Sequence, residues 1–127
     1  MDLESLRIYL LDKAGARESA PFDPHTLVFH VGDQLFALIS RQATPLHLTL
    51  RCEPDRAELL RAMYPSVRPG VYMNRRHWNT LTLDGTITVE ALCRMIDTSY
   101  RLALVAGGTP DRLPATFEED IAHDATS

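Results

Sequence analysis

The sequence predicts an α+β domain in which helices cover one face of an antiparallel sheet. Two observations support this class: apolar residues recur at helical spacing near both ends of the chain, and they alternate with polar residues in short segments between. The chain has 127 residues, of which 45% are hydrophobic, so one domain with a single core is expected. We predict the element order α-β-β-β-α-β-β-α.

The first helix is predicted from leucines at helical spacing between Leu3 and Leu10. Asp2 precedes them as the N-cap, and Gly15 is placed to end the helix. Residues 16–25 are predicted to form a loop, because their prolines interrupt regular structure.

Three antiparallel strands are predicted next. "LVFHV" and "QLFALIS" flank Gly32-Asp33, a pair that favours a two-residue hairpin turn. "LHLTLRC" alternates, so that its leucines and Cys52 share one face while Thr49 and Arg51 share the other. This pattern predicts a meander with one buried face, and the opposite face would meet water or a partner.

Two more helices are predicted in the second half. Pro54 opens a helix that Pro65 stops. A longer helix runs over residues 89–106, with Asp97 and Arg101 as an i,i+4 pair on its wet face. Its predicted core stripe consists of Val89, Leu92, Ile96, Tyr100 and Ala103.

Two short strands lie between these helices in the prediction. Residues 66–70 form a loop, and the strands cover residues 71–74 and 77–83. Asp84-Gly85 then turns the chain towards the last helix.

The net charge of −4 is concentrated at the end of the chain. Residues 111–127 carry five carboxylates and one arginine, which account for all of it. We therefore predict one domain over residues 1–110 and an acidic, flexible tail over residues 111–127. Within the domain, residues 51–76 hold six arginines against three acids. Arginine suits bidentate contact with phosphate or carboxylate, although a codon bias towards arginine explains the composition equally well.

The sequence offers little support for catalysis or for an anchor. The first fifteen residues contain acids and no uninterrupted apolar run, so we predict a cytoplasmic protein without a secretory signal or membrane span. The histidines are scattered singly, and no phosphate loop, GxSxG elbow or HExxH pair occurs. Cys52 and Cys93 read as structural thiols, with a Cys52–His77 pair as the catalytic alternative. We expect no enzyme activity, cofactor or metal.

Residues 74–79, "NRRHWN", combine the side chains most suited to recognition. If Leu81 faces the core, alternation sends Trp78 and Arg76 to the opposite face, and the segment's histidine and second asparagine inward as structural polar groups. A guanidinium can then bind phosphate while the indole stacks on a base. The other interpretation packs Trp78 under a helix, and the usual burial of large aromatic side chains favours it.

Three ordered blocks run from about Pro21 to Val105: "PFDPHTLVFHVGDQLFALI", "LHLTLRCEPDRAELLRAMYPSVRPGVYMNRRHWNTLTLDG" and "LCRMIDTSYRLAL". In these blocks, and above all in the joint occurrence of "PGVYMNRRHWN", "LDG" and "SYRL", the chain resembles the MmcQ/YjbR family of small bacterial proteins. The resemblance implies a fold similar to the frataxin-like (CyaY-like) proteins. It also implies DNA binding with a double-wing arrangement, as members of the family are commonly described.

The wings would be the hairpin turn at Gly32-Asp33 and the turn at Asp84-Gly85. Both tips carry an aspartate, which phosphate repels, so we expect arginines beside the strands to provide the grip. The candidate nucleic-acid-binding residues are Arg51, Arg68, Asn74, Arg75, Arg76, His77, Trp78 and Asn79.

The sequence leaves two other functions open. A sheet face holding Tyr72, Arg76 and Trp78 would suit a protein partner or a second copy of the chain. The frataxin-like shape raises iron handling, but the few acids of the first helix are expected to form a solvated face. The acidic tail is expected to solubilise the chain, or alternatively to cover the arginines.

Overall fold

One antiparallel sheet runs through the part of the chain that the computed structural model describes, which is residues 1–21, 23–70 and 73–106. Its strands follow the order β1-β2-β3-β4-β6-β5 across the sheet. The strands are β1 Ala16–Ser19, β2 Thr26–Val31, β3 Gln34–Ser40, β4 His47–Arg51, β5 Val67–Pro69 and β6 Trp78–Thr82. The helices are α1 Leu3–Leu11, α2 Pro54–Met63 and α3 Val89–Val105. The predicted α+β class is confirmed.

The helix boundaries follow local signals in the sequence. The Asp2 carboxylate accepts a hydrogen bond from the Ser5 backbone N–H at 2.8 Å and so caps α1, as predicted. The chain turns away from α1 at Gly15, whose φ of 75° lies in the left-handed region. Pro54 occupies the first turn of α2, where a missing N–H costs nothing.

The predicted hairpin between β2 and β3 is also confirmed. Val31 pairs with Gln34 across the Gly32-Asp33 turn. Further along, Phe29 pairs with Ala37 and His30 pairs with Leu35, so one residue of β3 is extra.

The extra residue in β3 is Phe36, and this bulge is fastened to α3. Phe36 and its neighbour Ala37 both lie in the helix-side core. The buried Ser99 hydroxyl of α3 donates to the Phe36 carbonyl at 2.5 Å and accepts from the Arg51 backbone N–H at 2.8 Å. One serine thus satisfies main-chain groups of two strands, which fixes α3 above β3 and β4.

All three helices pack on the same face of the sheet. α1 packs beside β1, α3 covers β2, β3 and β4, and α2 covers β5 and β6. The core between helices and sheet is built around side chains from every layer, including Leu6, Phe29, Phe36, Ile39, Leu48, Leu81 and Ile96. We call the opposite face of the sheet the far face.

Two strands lie where the sequence predicts loops. β1 forms within the residues predicted as a loop, and backbone pairing to β2 holds this edge strand in place. The sequence does not predict it because its residues show no apolar alternation. β5 pairs Val67 with Leu81 and Pro69 with Asn79, which places it before the strand predicted over residues 71–74. Residues 71 and 72 of that prediction lie outside the described residues, as does the predicted tail.

The buried stripe of α3 differs from the prediction at its beginning. Val89 is 49% exposed, whereas Ala91 and Leu92 in the same first turn are buried. Asp97 bonds across to α1, accepting from Tyr9 Oη at 2.7 Å and from the Lys13 ammonium. Tyr9 and Lys13 are therefore the principal partners of Asp97, whereas the prediction named Arg101.

No helix in the described ranges is long and apolar enough to cross a membrane.

Candidate nucleic-acid interface

Two connections meet at one end of the sheet. The hairpin turn at Gly32-Asp33 and the β5–β6 connection both lie at the end where Arg51 pairs with Trp78. The turn at Asp84-Gly85 follows Thr82, which pairs with His47 at the other end. The two turns predicted as wings are therefore separated by the length of a strand, roughly 15 Å. The β5–β6 connection, and not Asp84-Gly85, is the neighbour of the β2–β3 hairpin.

The last four residues of the β5–β6 connection form a turn that we call the arginine loop, Asn74 to His77. The Asn74 side-chain oxygen accepts from the Arg76 backbone N–H at 2.9 Å, and the Asn74 carbonyl accepts from the His77 N–H at 3.1 Å. The His77 carbonyl in turn accepts from the Cys52 N–H at 2.7 Å. Side-chain and main-chain bonds together hold this turn against the end of β4.

Arg61 of α2 braces the arginine loop from the helix side. Its Nε donates to Asn79 Oδ1 at 2.7 Å, and its Nη2 donates to the carbonyl of Arg75. Asn79 is buried and also donates to the Ala57 carbonyl at 3.2 Å. The inward orientation predicted for Asn79 is confirmed. Sequence reasoning counted Arg61 only as part of the positive charge, because nothing in the pattern of a helix face shows which carbonyls an arginine will reach.

The side chains of the arginine loop project into solvent. Asn74, Arg75, Arg76 and His77 are all exposed. His77 was predicted to point inward, but β6 begins only at Trp78, so strand alternation does not extend to it. Within the described residues neither Arg75 nor Arg76 forms an ion pair with a carboxylate. The loop therefore presents two guanidinium groups to any anionic partner.

Trp78 does not share this exposure. Only 4% of the residue is accessible, and it packs on the far face in a cluster with Val28, Leu35, Leu38 and Met73. The Arg51 guanidinium carbon lies 5.0 Å from the centroid of the indole. The burial favoured by the sequence is correct, but it occurs on the face opposite the helices rather than beneath one. The indole therefore cannot act as a stacking surface in this conformation.

Arg51 and Arg68 flank β6 on the far face. Arg68 is exposed on β5, and its Nη2 donates to His47 Nδ1 at 3.3 Å. Burial, with a smaller contribution from Arg68, lowers the pKa of His47, so its ring stays neutral and can accept this bond near pH 7. Of the eight candidate residues, the structure brings together the four of the arginine loop. Arg51 lies on β4 and Arg68 on β5, the two strands that flank β6. Trp78 and Asn79 of β6 are buried.

The cysteines and metal-ligating side chains form no site in the described ranges. Cys52 and Cys93 are free thiols, and burial raises the pKa of Cys52. A raised pKa weakens the case for a thiolate paired with His77, whose main chain rather than ring contacts Cys52. Among the described residues no group of three or more histidine, cysteine, aspartate or glutamate side chains could hold a metal ion.

Comparison with known proteins finds relatives in enteric bacteria. The model of the family YjbR matches residues 11–102. The protein YjbR of Escherichia coli K12 is 33% identical over 104 residues, which are 82% of this chain and 88% of that protein. YbdF of Escherichia coli O157:H7 is 31% identical over 84 residues, which are 66% of this chain and 69% of that protein.

Solved structures with the same fold come from other bacteria. Protein DR2400 of Deinococcus radiodurans, with a DUF419 domain, is similar with a TM-score of 0.78 and 34% identity over 94% of this chain and 87% of its own. A Pseudomonas syringae protein has a TM-score of 0.70 over 81% of this chain and 99% of its own. At 22% identity, the second likeness supports the fold alone.

Proposed function

The chain belongs to the YjbR family, and from this premise we propose that it is a cytoplasmic, non-catalytic protein that binds the phosphate backbone of DNA through its arginine loop. Family membership by itself assigns no activity. The observation that carries the proposal is the pair of exposed guanidinium groups, Arg75 and Arg76, on a turn held by four hydrogen bonds and free of carboxylate partners among the described residues.

The arrangement favours contact with phosphate over contact with bases. The loop's backbone is fixed before any ligand arrives, so binding has little loop entropy to overcome. Arginine forms bidentate bonds with phosphate, whereas the tryptophan that would stack on a base is buried. We therefore expect weak sequence preference and strong dependence on salt.

The adjacent hairpin limits how DNA can approach. Its tip carries Asp33, whose charge repels phosphate, while Arg17 donates to the Gly32 carbonyl at 3.2 Å beside it. The proposal therefore places the main contact at the arginine loop and gives the β2–β3 hairpin a flanking position.

The test is fluorescence anisotropy of a labelled DNA duplex between about 50 and 200 mM salt. Wild-type protein should bind with an affinity that falls as salt rises. The double variant Arg75→Gln/Arg76→Gln should bind more weakly, and its log–log salt slope should decrease in magnitude by about 2, since each phosphate contact contributes about 0.9.

The matched control replaces two exposed arginines elsewhere, Arg41→Gln/Arg101→Gln, which removes the same charge. Arg41 follows β3 at the other end of the sheet, and Arg101 lies on α3. If both double variants lose affinity equally, net charge and not the arginine loop governs binding. If wild-type protein gives no salt-sensitive anisotropy change, the proposal is wrong.

A protein-binding face is the weaker proposal. The hot spot expected on the sheet relied on an exposed Trp78, and only 4% of that residue is accessible. Self-association measured by sedimentation, in protein that does not bind DNA, would favour this second function.

A further inference from the structure

A groove separates α2 from α3 on the helix side of the sheet. α2 packs over β5 and β6, whereas α3 packs over β2, β3 and β4, so the neighbouring strands β4 and β6 meet beneath the gap between the helices. The groove has a volume of about 80 Å³. It lies on the opposite side of the sheet from Trp78 and is distinct from the arginine loop.

The floor and walls of the groove are mostly apolar. Leu50 and Cys52 of β4 and Leu81 of β6 line it from below, and all three are buried. Its walls include Met63 of α2, which is 55% exposed, and Met95 of α3. Methionine side chains are unbranched and adaptable, so these walls can adjust to an apolar group.

Among the residues that the structure describes, the charged side chains that line the groove are all arginines. Arg56 of α2 and Arg94 of α3 are exposed and line it from opposite helices. Arg51 also borders it, but its guanidinium lies over Trp78 on the far face. None of the lining residues within the described ranges is a carboxylate. The acids of the two helices and their caps, which do not line the groove, are Glu53, Asp55, Glu58, Glu90 and Asp97.

We propose that this groove binds a small aliphatic monocarboxylate. The apolar floor takes the hydrocarbon chain, and Arg56 and Arg94 attract the carboxylate at the mouth. A positive ligand is repelled by the same two arginines, and a neutral one gains only the apolar contacts. Charge complementarity therefore selects a carboxylate among molecules with the same chain. The inference does not depend on DNA binding.

The volume limits the length of the chain. Counted as positions open to the centre of a water molecule, one water needs about 10–15 Å³, so about 80 Å³ on the same measure holds about five to eight groups of that size. We therefore expect chains of about four to six carbons, and hexanoate is a suitable probe.

The experiment uses full-length protein with isotopically labelled methionine methyl groups, observed by NMR during titration with hexanoate. The chain has four methionines. Met63 and Met95 line the groove, whereas Met73 lies in the far-face cluster and serves as the internal control. The signals of Met63 and Met95 should shift and saturate, and those of Met73 and Met1 should stay in place.

Hexanol and hexylamine carry the same chain with a neutral and a positive head. Hexanol should bind about tenfold more weakly than hexanoate, or more so, because it lacks the charged hydrogen bonds, and hexylamine should be weakest. Equal shifts with hexanol and hexanoate would overturn the proposal. So would shifts of Met73 as large as those of Met63, or shifts that do not saturate.

Matched variants separate local from global charge. Arg56→Gln/Arg94→Gln should weaken hexanoate binding about tenfold, and Arg17→Gln/Arg41→Gln, which removes the same charge from the β1 and β3 side, should not. Equal loss in both variants would contradict the assignment. Because the arginine loop is intact in all of these proteins, failure here leaves the DNA measurement unaffected, and the reverse also holds.

Discussion

The two faces of the sheet bury side chains in different ways. On the helix face, residues from the three described helices and from every strand but β1 form one core, and its strand residues alternate along the chain except at the Phe36 bulge of β3. On the far face, Val28, Leu35, Leu38, Met73 and Trp78 form a smaller cluster that no helix of the described residues covers. Alternation in a sequence shows which way a strand residue points, but it does not show whether that face is covered.

Truncating one leucine on each face gives the largest expected effects. Leu48→Ala opens a cavity in the continuous core and should reduce the free energy of unfolding by about 3–5 kcal/mol. Leu38→Ala, on the adjacent strand in the smaller cluster, should cost about 2–3 kcal/mol, because its surroundings can collapse more readily. Chemical denaturation measures both. Equal losses would show that the two faces are packed equally well.

Gly70 tests how closely the far-face cluster is tied to the β5–β6 connection. A Cβ at this position would lie 2.7 Å from Trp78 Cβ and 3.1 Å from the Trp78 carbonyl oxygen. Gly70→Ala should therefore destabilise the fold by about 1–3 kcal/mol through overpacking. The emission of the only tryptophan should shift to longer wavelength if the strain exposes it. Wild-type stability and emission in this variant would indicate that the connection yields without disturbing Trp78.

Asp97 tests the contact that joins α3 to α1 and to Lys13, which follows α1. Burial opposes ionisation of Asp97, but hydrogen bonds from Lys13 and Tyr9 outweigh it and lower the pKa. A lowered carboxyl pKa stabilises the fold above about pH 4, and this stabilisation is lost as the pH falls through the folded-state value. Asp97→Asn should cost about 1 kcal/mol at pH 7, since the pair is partly exposed, and should flatten the acid side of a stability–pH curve. If the stability of the variant falls at low pH as that of the wild type does, other carboxylates cause the loss of stability in acid.

His47 and Arg68 give the smallest effect, at the polar margin of the far face. Burial is the larger cause of the lowered pKa of His47, and Arg68 is the smaller. Arg68→Gln should raise that pKa, which should still remain below the ordinary value near 6.5. NMR titration of the ring measures the change. A pKa that returns fully to the ordinary value would make Arg68 the main cause. Because the folded-state pKa is lowered, protonation of His47 favours the unfolded chain as the pH falls below 6.5.

Much of the fold follows from local sequence signals. The Asp2 cap, the Gly32-Asp33 turn and Pro54 at the start of α2 are each determined within a few residues, and all are found. β1 was missed because its stability comes from pairing with β2, which leaves no apolar pattern in the edge strand itself. Three residues of β5 are likewise defined by their partners on β6.

The sequence predicts which residue types form the candidate site better than it predicts how their side chains are arranged in space. The sequence identifies Arg75 and Arg76 as a basic pair, and both are exposed. It cannot reveal that Arg61 reaches across from α2 to the Arg75 carbonyl, since this bond joins residues from separate elements. The burial of Trp78 likewise depends on the residues that surround it in space.

The outermost strands of the sheet also bear on how copies of this chain behave together. β1 has four residues and carries Arg17 and Glu18, and β5 has three residues and ends at Pro69, which has no N–H to donate. A sheet edge that is short, charged or closed by proline is a poor template for a strand from another molecule. Both edges of the described sheet are therefore protected against fibril-like growth by strand addition.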